Sequence, residues 1–173
     1  MCIRDRPKGS VHLTKTVDDL DTDTDLVDRL DLSKIQFVLK AKEDIYSPVD
    51  GTLMFAKDEK ITTESSGAIV NTGTEIGKGI YALSKDGQLD ISNLPMGTGE
   101  AKYYFEEVKT LDGCVLDEAK QSFTFRQKDF TTKNYSKDLN VENKTTHFEF
   151  NKTDVTGDKE VLGAQLTLSL IHI

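Results

Sequence analysis

Three polar side chains of this 173-residue chain fall where an alternating strand pattern calls for apolar ones: Lys15, Glu107 and Asn143. In SVHLTKT (10–16) the residues Val11, Leu13 and Lys15 share one face. Tyr103, Phe105 and Glu107 do the same in AKYYFEEV (101–108), and Leu139, Val141 and Asn143 in LNVEN (139–143). An uncompensated buried charge is costly, and desolvation favours the neutral forms of amines and carboxylic acids. A neutral amine is a nucleophile and a carboxamide carbon an electrophile, while a protonated carboxyl between them can polarise the carbonyl and relay protons. Held together by a fold, the three could form a Lys15–Asn143 amide with loss of ammonia. The effective molarity of groups in fixed contact is what lets so poor an electrophile react. Each residue also has a plainer reading: a lysine at a strand end snorkels, a glutamate on an edge strand meets solvent, and an asparagine at a strand end marks a turn.

The elements that must position these groups are short strands. Runs rich in Val, Ile, Thr, Phe and Tyr alternate with period two and are punctuated by Gly, Asp and Asn, while helix-period apolar patterns are scarce. Strands are predicted at 10–16, 35–41, 52–56, 79–83, 88–92, 101–108, 114–117, 122–126 and 139–143. GIYAL (79–83) and QLDIS (88–92) read as a hairpin through Asp86-Gly87. Lys57 to Lys78 reads as a long loop with one strand around 68–70. The class is all-β, and a β-sandwich is the default for many short strands with turns between them.

Composition narrows the function. The chain is 36% hydrophobic and 30% charged with a net charge of -8, which describes a globular chain. The acidic balance argues against nucleic acid or anionic membrane as partners, and no apolar run approaches the roughly 20 residues of a membrane span. There is no C-x-x-C spacing and no cofactor motif, so neither a metal nor a cofactor is expected.

Both ends read as translated sequencing adapter rather than protein. MCIRD is what ATG TGT ATA AGA GAC encodes, LSLIHI is what CTG TCT CTT ATA CAC ATC encodes, and the two strings are reverse complements over their common length. Residues 1–6 and 168–173 are therefore set aside, with Cys2 and His172, which leaves Cys114 as a lone cysteine that reads as a buried small hydrophobe, the alternative being a reactive thiol. Within the remainder HFEFNKTD (147–154) repeats SVHLTKTV, with Lys152 in the place of Lys15. LGAQLTL (162–168) likewise stands where SKIQFVL stands in the first copy. The organisation expected is one complete repeat at 7–144 and the first two strands of a second at 145–167.

Taken in order, GSVHLTKT, IQFVLKAKEDIY with its following DGT, DISNLPMG, YYFEEVKTLDGCVLDE and NVENKTTHFEFNKTD resemble the collagen-adhesin B-type repeat of Gram-positive pilins and surface adhesins. This is the prealbumin-like, SpaA-type pilin domain, and the likeness runs from about Lys8 to Leu168. It implies an Ig-like, prealbumin-like β-sandwich in an extracellular, cell-wall-attached protein. It also implies an intramolecular isopeptide bond between a first-strand lysine and a last-strand asparagine, promoted by the glutamate of the Y-x-x-x-E block. By motif these are Lys15, Asn143 and Glu107, with Lys152 the matching lysine of the next repeat. The family's block continues A-P-x-G-Y, whereas here Thr110, Leu111 and Cys114 replace the alanine, proline and tyrosine; these positions are expected to shape the loop and not the reaction.

Other constellations carry less. Asp19, Asp21, Asp23 and Asp25 alternate as in a calcium loop but lack its sixth-position glycine and twelfth-position glutamate, so Asp18 to Asp31 reads as a solvated connection. Ser65 and Ser66 have no glycine elbow, and His12 and His147 point outward, so no hydrolase triad is expected. The expected function is a stalk or pilin-like structural module, whose only reaction is its own cross-linking. Its partners are neighbouring repeats and pilus subunits. The alternative is an adhesin module that binds host extracellular matrix or a glycan through its loops.

Overall fold

A computed structural model describes residues 6–18, 31–129 and 131–146. The acidic run between 19 and 30, Phe130, His147, Lys152 and the second-repeat segments lie outside the described residues. The described chain forms eleven strands: β1 (Lys8–Val17), β2 (Gln36–Ala41), β3 (Ile45–Tyr46), β4 (Leu53–Phe55), β5 (Ile69–Thr72), β6 (Thr74–Gly77), β7 (Ile80–Ala82), β8 (Gln88–Pro95), β9 (Glu100–Lys109), β10 (Gln121–Arg126) and β11 (Asn134–Asn143). Two sheets, ordered β11-β1-β8-β5 and β10-β9-β2-β7-β6, carry nine of them, and β3 pairs with β4 alone.

The period-two pattern becomes burial directly. Along β1, Val11, Leu13 and Lys15 are buried while the intervening His12 and Thr14 are half-exposed. The core between the sheets holds Leu13, Phe37, Leu39, Leu89, Ile91, Tyr103, Phe105, Phe123 and Phe125. Its aromatic rings pack at centroid separations of 5.5 to 6.1 Å, offset-stacked or edge-on, as aromatic quadrupoles favour. Tyr103 joins this cluster because its hydroxyl donates to the Pro95 carbonyl at 2.6 Å. Tyr104 faces the other way and is buried too, its hydroxyl donating to Asp58 and the Lys120 ammonium lying 4.5 Å from its ring centroid.

Gly9 occupies an inward position of β1 because no side chain fits there. A β-carbon on it would lie 2.3 Å from the Phe125 ring. Gly9→Ala is expected to cost about 1 to 3 kcal/mol through forced repacking of Phe125, measured by denaturant unfolding. A neutral result would mean that the ring moves aside freely.

Three local expectations fail. The Asp86-Gly87 turn forms, with the Ser84 amide donating to Gln88 O at 2.8 Å, but it is no hairpin: β7 and β8 lie in opposite sheets. The dipeptide fixes the reversal and not the pairing, and the chain crosses the sandwich there. The stretch from Lys57 to Lys78 holds more than a loop and one strand: the strand expected around 68–70 forms as β5, and a short helix α1 (Thr63–Ser66) and the edge strand β6 accompany it. Thr62 and Ser65 form a reciprocal capping box, and Gly67 ends the helix in the left-handed conformation. β6 (TEIG) carries one large apolar residue because edges face solvent, which is why composition hid it. CVLD (114–117) is not a strand either: Val115 and Leu116 are exposed, Cys114 is half-buried, and a single bridge joins Cys114 to Thr145.

The last strand returns beside the first. β1 and β11 are parallel neighbours in unbroken register from Lys8↔Asn134 to Val17↔Asn143. Hydrogen bonds continue past residue 144, where the expected first repeat ends. The Thr145 amide donates to Asp18 Oδ1 at 3.2 Å and the Thr146 amide to Gly113 O at 2.8 Å.

Candidate functional site

The parallel pairing of β1 and β11 sets Lys15 opposite Val141 and Asn143 opposite Val17. The two polar side chains therefore lie two residues apart along one inward face. Glu107 reaches them from β9 in the facing sheet, where it stands opposite Phe37 of β2. Lys15 and Asn143 are each 1% exposed and Glu107 is 3% exposed, which rules out snorkelling, a solvent-facing carboxylate and a turn asparagine.

The contacts form one connected network. Lys15 Nζ donates to Asn143 Oδ1 at 2.5 Å and to Glu107 Oε2 at 3.3 Å. Asn143 Nδ2 donates to Glu107 Oε1 at 2.8 Å and to Thr110 Oγ1 at 2.6 Å. Glu107 Oε2 also accepts from the Asp117 backbone amide at 3.1 Å. The two oxygens of one carboxyl thus address two nitrogens, Oε2 the lysine amine and Oε1 the carboxamide nitrogen. Among the described residues no buried side-chain nitrogen or oxygen is left without a partner.

Local structure fixes each group. The Lys15 backbone amide donates to Gly87 O at 2.7 Å, an approach that only glycine allows, since a β-carbon on Gly87 would lie 2.5 Å from Lys15 O. The Lys15 ammonium lies 5.5 Å from the Phe37 ring centroid, so an aromatic face dries one side of it. Burial pushes the Lys15 amine below its ordinary value of 10.5, and the neighbouring Glu107 carboxylate opposes that shift. Asn143 is held by its backbone carbonyl, which accepts from the Asp18 amide at 2.8 Å.

The geometry differs from the sequence reading in two respects. Glu107 faces the nitrogen of the carboxamide, not its oxygen. Thr110, expected to shape only the loop, touches the carboxamide directly. Elsewhere, His12 pairs with Asp90 and with Thr14, alternating along β1 with the buried Val11, Leu13 and Lys15. Ser65 serves the helix cap. Burial raises the half-buried Cys114 thiol above its ordinary value, which lowers its thiolate fraction. No group of His, Cys, Asp and Glu suited to a metal occurs among the described residues, and no helix there is long and apolar enough to cross a membrane.

A family model described as the SpaA prealbumin-like fold domain matches residues 21–140. Among solved structures, the Corynebacterium diphtheriae major pilin SpaA is similar at 15% identity and a TM-score of 0.50, over 80% of this chain and 31% of that one. That pilin is described as pointing to a modular pilus assembly with stabilising isopeptide bonds. GBS52, the minor pilin of Streptococcus agalactiae, is similar at 17% identity and a TM-score of 0.47, over 86% of this chain and 49% of that one. The chain thus spans half or less of the length of these pilins, and at such identities the likeness speaks to fold alone. No curated protein matches the chain.

Proposed function

The chain belongs to the SpaA prealbumin-like fold domain family, and from that premise we propose that it is a structural, pilin-like module of an extracellular, cell-wall-attached protein, cross-linked internally between Lys15 and Asn143. The observation that carries this reading is the buried contact of an amine, a carboxamide and a carboxyl across two sheets. A buried ion pair is a poor stabilising device, because desolvation offsets most of its attraction. Converting the amine into an amide removes the lysine charge from the core altogether.

The step balances as follows. Glu107 Oε2 takes one proton from the Lys15 ammonium, and the neutral Nζ attacks Cγ of Asn143 while the carbonyl π pair moves onto Oδ1. The Glu107 proton passes to Nδ2, the Cγ–Nδ2 bond breaks with its electron pair leaving on nitrogen, and the carbonyl re-forms as ammonia departs. One of the two protons still on Nζ passes to Glu107 and then to the ammonia, leaving a Lys–Asn amide, an ammonium ion and a glutamate. Glu107 acts once per chain, so this is self-modification and not turnover.

In this reading the first repeat starts near Pro7 and runs to the Thr145–Thr146 latch, and the chain beyond opens a second repeat with Lys152 as its candidate nucleophile. The neighbours it contacts are further repeats and other pilus subunits. Intact mass spectrometry of the purified chain is expected to give a mass lower than the sequence mass by one ammonia, and a tryptic digest to yield a branched peptide joining the Lys15 and Asn143 segments. A full sequence mass in the folded chain would refute the reading.

A further inference from the structure

We infer that Thr110 takes part in the cross-linking step, its hydroxyl holding the departing nitrogen of Asn143 beside Glu107. The inference rests on the cross-linking reading above and adds to it a residue that the strand pattern does not select.

A primary carboxamide can sit in two orientations related by a half-turn, and only one presents its nitrogen to the carboxyl that must protonate it. Three contacts hold the carboxamide here. Nδ2 donates to Glu107 Oε1 at 2.8 Å and to Thr110 Oγ1 at 2.6 Å, while Oδ1 accepts from Lys15 Nζ at 2.5 Å. The Lys15 ammonium can only donate and so holds Oδ1, and the Thr110 hydroxyl gives Nδ2 a second partner beside Glu107. As the Cγ–Nδ2 bond breaks, the nitrogen gains a lone pair, and the same hydroxyl can turn to donate to it.

The backbone explains how Thr110 comes to be there. β9 carries a register shift against β2, in which Gln36 faces Lys109 and Phe37 faces Glu107, so that Val108 has no opposite number. Strict alternation from Glu107 would bring Lys109 back to the inner face. The extra residue changes the parity, leaving Val108 and Lys109 exposed and returning Thr110 to the side of Glu107, which is how bulges re-aim side chains. The turn that follows is closed by the Cys114 amide donating to Leu111 O at 3.1 Å. It is latched to the end of β11 by Val115 N–H to Lys144 O and Thr146 N–H to Gly113 O, each 2.8 Å. Thr110 is therefore tied to the strand that carries Glu107 and to the segment that follows Asn143.

The test is the rate of ammonia loss. The full chain is made by cell-free synthesis as wild type, Thr110→Val and Thr110→Ser, quenched in acid at intervals and read by intact mass, with acquisition of the fold followed by protease resistance. Thr110→Val keeps the shape and removes the hydroxyl, and is expected to cross-link about fivefold to tenfold more slowly, the rate equivalent of one neutral hydrogen bond. Thr110→Ser restores the hydroxyl and is expected to react close to the wild-type rate. A Thr110→Val rate equal to wild type, or a Thr110→Ser rate as low as that of Thr110→Val, overturns the inference while leaving the cross-link intact. Wild type that never loses ammonia overturns both. Should Thr110→Val not fold, Thr110→Ala against Thr110→Ser decides: slow alanine with fast serine supports the role, and equal rates remove it.

Discussion

Lys15→Ala is expected to lower the melting temperature by about 15 °C. The link it removes would join residues 128 positions apart and so close a loop of nearly the whole described unit. Constraining a loop of that length restricts the unfolded chain by about 5 kcal/mol, by analogy with a long-range disulfide. At roughly 3 °C per kcal/mol for a domain of this size the shift follows. Removing a buried side chain also costs packing, so the single variant alone is not decisive. Asn143→Ala deletes the other end of the same bond and should fall by a similar amount. The double variant should then fall little further, because a bond already lost cannot be lost again. Drops that simply add, or singles that lose only a few degrees, would show that the two residues act as separate packing groups.

The second large effect concerns Glu107→Gln, which is expected to fold and yet retain its ammonia, with cross-linking slowed about 10²- to 10⁴-fold, the usual worth of general acid–base catalysis. Glutamine keeps the size of the side chain but has one acceptor oxygen, so it can accept from only one of the two nitrogens. What it loses is the ability to take a proton from Nζ on one oxygen and deliver one to Nδ2 from the other. Intact mass measured over hours separates the alternatives cleanly. A Glu107→Gln chain that links as fast as wild type would reduce the carboxyl to a spacer, and one that fails to fold would make its role structural.

The site was more legible in the sequence than several of the elements around it. Lys15, Glu107 and Asn143 each break an apolar alternation, and period two survives translation into structure wherever a strand is regular, so parity alone selected side chains that meet in the core. Parity fails at irregularities, and Thr110 lies just beyond one. The unpaired Val108 reverses the phase, and nothing in EEVKTL announces it. The hairpin expected at Asp86-Gly87 failed for a related reason. A turn dipeptide reports a local reversal, whereas the partner of a strand is settled by which sheet can bury its face, and Leu89 and Ile91 are buried from the opposite side of the sandwich to Tyr81. β6 was hidden because an edge strand half in solvent has no apolar signature to read, whereas β5 was legible at 68–70.

The parallel register of β1 and β11 decides how the unit carries tension. Load applied at Lys8 and at Lys144 grips neighbouring strands at opposite ends, so the ladder between them is sheared along its whole length instead of being peeled open one rung at a time. With an amide between Lys15 and Asn143 the path becomes shorter still. Tension would enter along β1, cross at residue 15 and leave through residue 143, and everything from Thr16 to Glu142 would hang outside the line of pull, unable to lengthen however hard the ends were drawn.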